Sequence, residues 1–307
     1  MSTSNGTWDC IIVGAGAAGL SAGLVLGRAR RDTLIVDAGQ PSNLAAGAVG
    51  GFIGADGRPP AELYERARAG LEPYGSVELR PGLVTAGSRD GDGFELRTDA
   101  GAAEPARTVL IAAGMDYRPP DVPGIAERWG RSVFHCPFCH GWEVRGGRLG
   151  VLDSGDGAVH RGLLLTSWSD DVTVFTNGDE PPADPGLAAA GVAIDERSIA
   201  ELEGPGTELE AIRFADGEKR ACDALLVPAA MHQRSDLAAQ LGAEPGDPSP
   251  IAADPIKADD RGTTSVPGLF VAGDVTGRMP SVANAVASGS NAAAAVVQYL
   301  TAAPARG

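Results

Sequence analysis

The sequence predicts an α/β protein of two βαβ-type domains, the second inserted into the first. Three observations carry this expectation. Strand–turn–helix–strand openings stand at residues 10–39 and again at 148–178. The chain closes on "GLFVAGDVTGRMPSVANAVASGSNAAAAVVQYL", a buried-looking strand followed by a long small-residue helix. Between the openings, the proline-rich "YRPPDVPG" (117–124) marks a boundary. Two βαβ openings in one chain require two parallel sheets, each covered by its own helices.

The elements follow in order. "CIIVGAGAAGLSAGLVLGRARRDTLIVDAG" gives a short apolar run ending at Gly14, a helix of small residues, and "TLIVD" as the next strand. "RTVLIAAG" (107–114) is a further buried strand ending in Ala-Gly. "RLGVLDSGDGAVHRGLLLTSWSDDVTVFTNG" repeats the opening in the second domain. The expected parse is a first domain of residues 1–116 plus 245–307 and an inserted domain of 117–244. The terminal "AAPARG" reads as frayed.

Composition narrows the function. At 307 residues the chain is long enough for two real cores. A formal charge of −15 argues against nucleic acid or an anionic membrane surface, both of which select an excess of Lys and Arg. Apolar runs are broken well short of the roughly 20 residues of a membrane span. "MSTSNGTWDCIIVGAG" lacks the positive start of a signal peptide, so a cytoplasmic location is expected. Four cysteines, at 10, 136, 139 and 222, do not make a secreted disulfide framework.

Gly14-Ala15-Gly16-Ala17-Ala18-Gly19 fits G-x-G-x-x-G after a strand and before a helix, and Asp37 ends the next strand where a ribose-binding acid belongs. Gly14 permits the tight turn, Gly16 admits a pyrophosphate close to the backbone, and Gly19 lets helix and strand approach. The helix N-terminus supplies positive potential. Both domains therefore read as Rossmann-like dinucleotide-binding folds.

Together with "VLIAAG" and "LFVAGDV" (269–275), these motifs resemble the flavin-contact segments of the thioredoxin reductase-like flavoproteins, over nearly the whole chain. The resemblance implies bound FAD. Carried over by position, it implies contacts at Gly14, Gly16, Ala17, Ala18 and Gly19 and, after the second strand, at Asp37, Ala38, Gly39, Gln40 and Asn43. Val84, Ala113 and Gly114 join them. It also implies that Asp274, beside Gly273, holds the ribityl chain, and that the following helix start at Val282 and Ala283 faces the isoalloxazine. A homodimer is implied as well. Residues 44–57, with Phe52, are expected to wall the flavin pocket, although plain packing suits their small side chains equally.

"HCPFCHGWE" (135–143) holds two of the four cysteines. C-x-x-C-H matches a haem attachment site formally, but that chemistry needs export. A zinc site needs four ligands, and Cys10 and Cys222 stand singly in strand-like contexts as small apolar residues. In the resembled family a redox-active C-x-x-C occupies this place. By that resemblance Cys139 is the flavin-proximal thiol that would attack the isoalloxazine C4a, and Cys136 the outer thiol that exchanges with substrate. His140 stands where the reductases carry Asp; an imidazole there can take a proton from a substrate thiol and return it. His135 is a second candidate, and Trp142 reads as a packing residue.

The second glycine turn departs from its family pattern. "VLDSGDGAV" has Asp153 in place of the first glycine, and "VTVFTNGDEPP" offers Asn177, Gly178, Asp179 and Glu180 where NADPH-using relatives carry arginines for the 2′-phosphate. Loss of NADPH binding is expected. Reducing equivalents then enter from sulfur, and O2 is the expected acceptor, giving H2O2. With His after the second Cys and a degenerate nucleotide turn, the chain looks like the dithiol oxidases of holomycin and gliotoxin biosynthesis, which close a disulfide in a small-molecule dithiol. The alternatives are an NADPH- or ferredoxin-dependent reductase and a non-catalytic flavin redox sensor. No metal is expected.

Overall fold

The computed structural model describes residues 6–302; the first five residues and nearly all of "AAPARG" lie outside them. The chain forms two compact units. One comprises residues up to Leu44, Pro60–Tyr117 and the chain from Ala230; the other comprises Ala45–Pro59 and Arg118–Ala229.

The first stretch of the first unit runs β1 (Trp8–Val13), α1 (Ala17–Arg28), β2 (Thr33–Asp37), α2 (Pro60–Ala69), β3 (Val77–Pro81), β4 (Val84–Asp90), β5 (Gly93–Thr98), β6 (Ala103–Ile111) and β7 (Met115–Arg118). The second unit carries α3 (Ile125–Arg128), β8 (Val133–Phe134), α4 (Pro137–His140), β9 (Leu149–Leu152), α5 (Gly155–Leu165), β10 (Val172–Phe175), α6 (Pro185–Ala189) and β11 (Ala193–Asp195). It ends with β12 (Ile199–Glu203), β13 (Ala211–Phe214), β14 (Lys219–Ala221) and β15 (Ala224–Leu226). The chain then returns to the first unit through β16 (Ala230–Gln233), α7 (Leu237–Gln240), β17 (Leu269–Val271), a 3-10 turn (Gly273–Thr276) and α8 (Val282–Ala302).

In the first unit, β3, β2, β1 and β6 pair in parallel in that order. The nine-residue β6 then serves two partners: its first half pairs β5 antiparallel, its second half β17 in parallel. The strands buried on both faces are continuous apolar runs such as "TLIVD". Parallel pairing brings the C-terminal ends of β1, β2, β6 and β17 to one edge, where α/β sheets bind ligands. The second unit is a five-stranded parallel sheet, β11-β10-β9-β15-β8, beside a three-stranded antiparallel sheet, β12-β13-β14. Among the described residues no helix is long and apolar enough to cross a membrane.

Two segments fall differently from the sequence's division. Residues 230–244 join the first unit, because β16 pairs β7 and because Met231, Leu237 and Leu241 are buried in its core. Residues 45–59 join the second unit as a strap. The strap is self-bonded, Val49 N–H to the Arg58 carbonyl at 2.8 Å and Gly57 N–H to the Val49 carbonyl at 2.9 Å. A Cβ at its Gly50 would lie 2.5 Å from the Cys139 carbonyl oxygen and 3.0 Å from the Cys139 Cα.

α1 and α8 pack backbone to backbone. A Cβ on Gly289 would stand 2.0 Å from the Ala18 carbonyl oxygen, so only glycine allows this approach. Gly289→Ala is expected to destabilise the first unit by about 1–3 kcal/mol. Urea unfolding would show a lower midpoint; an unchanged midpoint would mean that the two helices separate without cost.

Candidate functional site

The first unit gathers every residue assigned to the dinucleotide. Gly14 ends β1 at φ +101°, and its Cβ would meet the Ala112 carbonyl oxygen at 2.5 Å. The turn is closed by Gly14 N–H donating to the Val36 carbonyl at 2.8 Å. Gly16 precedes α1, no side chain caps that helix, and a Cβ at Gly16 would meet nothing within 4 Å. Ala17, Ala18 and Gly19 thus form the first turn at the positive end of a 12-residue helix whose N-cap no side chain occupies. That is the shape and charge a pyrophosphate needs.

Asp37 does more than end β2. Its Oδ1 accepts from the Ala15 and Gly39 N–H groups, each at 3.2 Å, and its Oδ2 accepts from Arg68 Nη2 at 3.0 Å. Beyond it opens a cavity of about 680 Å³, lined by Asp37, Ala38, Gly39, Gln40, Arg68 and Leu83 among others. Arg234 donates to the Gln40 carbonyl at 2.6 Å and to Ser42 Oγ at 3.1 Å. Asn43 Oδ1 accepts from the Tyr64 hydroxyl at 2.7 Å, and burial pushes that phenol up to about 12. Val84 is buried in the core cluster that holds Val13 and Val36. Ala113 and Gly114 follow β6, Gly114 at φ +66°.

After β17, Gly273 N–H donates to Ser288 Oγ at 3.0 Å. Asp274 Oδ2 accepts from the Tyr117 hydroxyl at 2.9 Å; burial raises this carboxyl, while Tyr117 and Arg234 oppose the rise. Val282 and Ala283 begin α8. Sequence reading missed Arg68, Tyr64, Tyr117, Arg234 and Ser288, all of which lie far along the chain from the groups they hold.

The second unit holds the dithiol. Cys136 is extended (φ −125°) immediately before the single turn of α4, with Pro137 at its first position. Both cysteines are reduced. The Cys139 thiol donates to the Cys136 sulfur, and the backbone N–H groups of Cys139 and Phe138 add to it, so the Cys136 thiol falls below its ordinary 9.0 despite partial burial. Cys139 is pushed up, first because its proton is held in that bond, then by burial. The pair is therefore asymmetric, with Cys136 the more acidic thiol and Cys139 the donor.

Both histidines flank this turn as neutral rings. His135 stacks on Trp129 (centroids 5.7 Å, 21°), and burial takes it down to about 4, helped by His140 and Arg161. His140 stacks on Phe134 (5.3 Å, 9°). Burial lowers it too; the Cys136 and Gly130 carbonyls and Glu143 favour its cation but do not prevail. Neither His140 nitrogen completes a hydrogen bond, although both are buried. A buried unpaired polar atom costs roughly 1–3 kcal/mol, and native folds keep few of them outside functional sites.

One expectation changes here. Trp142, read as packing, is 66% exposed, with the Arg145 guanidinium 3.8 Å from its ring centroid. The stretch 44–57, expected to wall the flavin pocket or equally to pack plainly, supplies most of the strap, whose Gly50 packs on the Cys139 backbone. Cys10 and Cys222 are buried in separate cores and raised to about 12 by desolvation, inert as thiols. No cluster of three metal-ligating side chains occurs among the described residues.

At the second glycine turn, Asp153 Oδ1 accepts from the Ser154 N–H at 2.8 Å, and its Oδ2 is gripped by Arg161. The carboxylate sits so near α5 that a Cβ on Gly157 would lie 2.4 Å from it. Asn177, at φ +53°, spends its Oδ1 on the Ile199 N–H at 2.7 Å.

Comparison with known proteins agrees with this geometry. Residues 8–289 match the pyridine nucleotide-disulphide oxidoreductase family. "Thioredoxin reductase tcpT" of Claviceps purpurea (strain 20.1) is 36% identical, over 94% of this chain and 92% of that protein. "Thioredoxin reductase sirT" of Leptosphaeria maculans is 30% identical, over 96% and 95%. Among solved structures, HlmI superposes with a TM-score of 0.90 at 37% identity, covering 98% of this chain and 94% of that one. The oxidoreductase from Agrobacterium tumefaciens gives 0.90 at 36%, over 96% and 99%. Two dinucleotide-type sheets, a glycine turn with its acid and a C-x-x-C thus place the chain in the pyridine nucleotide-disulphide oxidoreductase family, with the thioredoxin reductase-like fold.

Proposed function

We propose that this protein is an FAD-dependent dithiol oxidase that closes a disulfide in a small-molecule dithiol and passes the electrons to O2. One observation carries the reading: neutral His140, its nitrogens buried and unpaired, lies beside an asymmetric Cys136–Cys139 pair. The engaged Asp153 supports it, since a carboxylate already held at the second glycine turn leaves a poor place for a nucleotide phosphate.

In this reading the first unit holds FAD, with the uncapped N-terminus of α1 on the pyrophosphate, Asp37 and the residues after it at the adenosine end, and Asp274 with Tyr117 at the ribityl chain. Bound FAD supplies a two-electron acceptor for the dithiol and a route from it to O2, which leaves as H2O2. The remaining chemistry belongs to the second unit. His140 accepts the proton of one substrate thiol. The thiolate attacks Cys136 Sγ of the oxidised pair, the Cys136–Cys139 bond breaks, and Cys139 leaves with the electron pair. The second substrate thiol then attacks the substrate sulfur of the mixed disulfide. Cys136 departs as a thiolate, which its lowered pKa makes a good leaving group. The sum is R(SH)2 plus O2 giving the cyclic disulfide plus H2O2.

The names of the fungal relatives favour a second reading, a thioredoxin reductase driven by a nicotinamide. Anaerobic titration separates the two. Loss of the flavin band on adding a small dithiol, and none with NADPH, supports the oxidase; bleaching by NADPH overturns it.

Cys136→Ser and Cys139→Ser are each expected to abolish dithiol-dependent oxygen uptake while the protein stays folded and yellow. Full uptake in either variant would end the relay. The pH dependence follows from the direction of the Cys136 shift: a thiol whose pKa is lowered is already thiolate below 9.0 and loses that form only at more acid pH. Iodoacetamide labelling of reduced protein should therefore have its midpoint below 9.0, and Cys139→Ala, which removes the leading hydrogen bond, should move the midpoint up.

A further inference from the structure

The dithiol carries an apolar rim that the reaction as described does not use. In the second unit, Ile53, Phe138 and Trp142 are 94%, 71% and 66% exposed, whereas its other two exposed large hydrophobics, Leu163 and Ile194, stand at 36%. All three belong to segments that adjoin the C-x-x-C turn: Phe138 within it, Trp142 just after it and Ile53 three residues past Gly50, which rests on Cys139. Phe138 lies between the cysteines and touches Trp168 only edge-on (5.5 Å, 81°). Trp142 stands three residues past Cys139, in the turn that follows α4. Ile53 tips the strap whose Gly50 backbone rests on Cys139. Exposed apolar side chains scattered singly need no explanation; a group of them around a nucleophile marks a binding surface.

One cation of the rim, Arg145, is already engaged. Arg145 is committed to Trp142, over its ring and through Nη1 to its carbonyl at 2.5 Å. Arg131 packs against Gly47 of the strap. Glu143 lies on the same turn, and the chain carries a net charge of −15. A thiol with charged carboxylates meets Glu143 and the net negative charge of the chain there, whereas a neutral thiol with a flat apolar face can stack.

Resting on the dithiol-exchange role of Cys136, we propose that Phe138, Trp142 and Ile53 are specificity-determining residues that admit neutral, flat thiol substrates to Cys136 and disfavour anionic ones such as glutathione.

The test measures thiol exchange without flavin turnover. In a Cys139→Ser background no resolving thiol remains. The Cys136 thiolate attacks dithiodipyridine, the S–S bond breaks, a mixed disulfide forms on Cys136 and thiopyridone leaves, read by its absorbance. Oxidised glutathione gives the corresponding adduct, read by mass spectrometry, and iodoacetamide reports the bare reactivity of the thiolate. Phe138→Ala and Trp142→Ala should each slow the dithiodipyridine reaction by roughly threefold to tenfold relative to iodoacetamide. Trp142→Phe should restore most of the rate, and the glutathione rate should hold. Proportional change with all three probes, or none with any, would overturn the proposal. Because exchange needs neither bound flavin nor O2, this result stands apart from the anaerobic titration, whose failure would remove the oxidase reading alone.

Discussion

The contact between Gly289 and the Ala18 backbone is the constraint on which the first unit depends. It sets α8 directly on α1, and with it the Ser288 hydroxyl that receives the Gly273 N–H. The glycine turn after β1 and the Gly-Asp turn after β17 belong to segments more than 250 residues apart in sequence. Helix contact turns them into neighbours at one sheet edge. A single methyl group would hold the helices apart, and both turns would lose their relative position long before either lost its own conformation.

In the second unit the governing effect is desolvation with unequal hydrogen bonding. Burial alone would raise both cysteines and leave neither reactive. The bond between them breaks the symmetry, because the sulfur that receives it is stabilised as an anion and the one that gives it is not. Burial also keeps both imidazoles neutral, so a base is present where a cation would have been only a counter-ion. Desolvation thus costs stability at His140 and supplies reactivity.

What the sequence made legible was whatever depends on local backbone demand. Gly14, Gly16 and Gly19 announce a turn because few other residues can make it; Cys136 and Cys139 stand out by a spacing that haem, zinc and redox sites share, and only the family resemblance reads it as a redox pair. Asp153 was visible as a misfit in the second turn. Its partner Arg161 was not, since nothing in the spacing distinguishes it from any helix-surface arginine. Arg68, Tyr117 and Arg234 escaped for the same reason: each reaches its partner across tertiary space, and a polar residue in a helix, strand or loop carries no mark of that. Trp142 was misread because large aromatics are buried more often than not, and the small residues of 44–57 gave no sign that Gly50 among them meets the Cys139 backbone.

The strap has a consequence for how this protein can be dismantled. The second unit is assembled from two stretches of polypeptide, the shorter of which departs from and returns to the first unit. No single cut yields a free-standing cassette. A fragment that begins at Arg118 would retain both sulfurs and both imidazoles yet expose the peptide face of Cys139 to water. Transplanting this chemistry onto another scaffold therefore means grafting a discontinuous pair of segments.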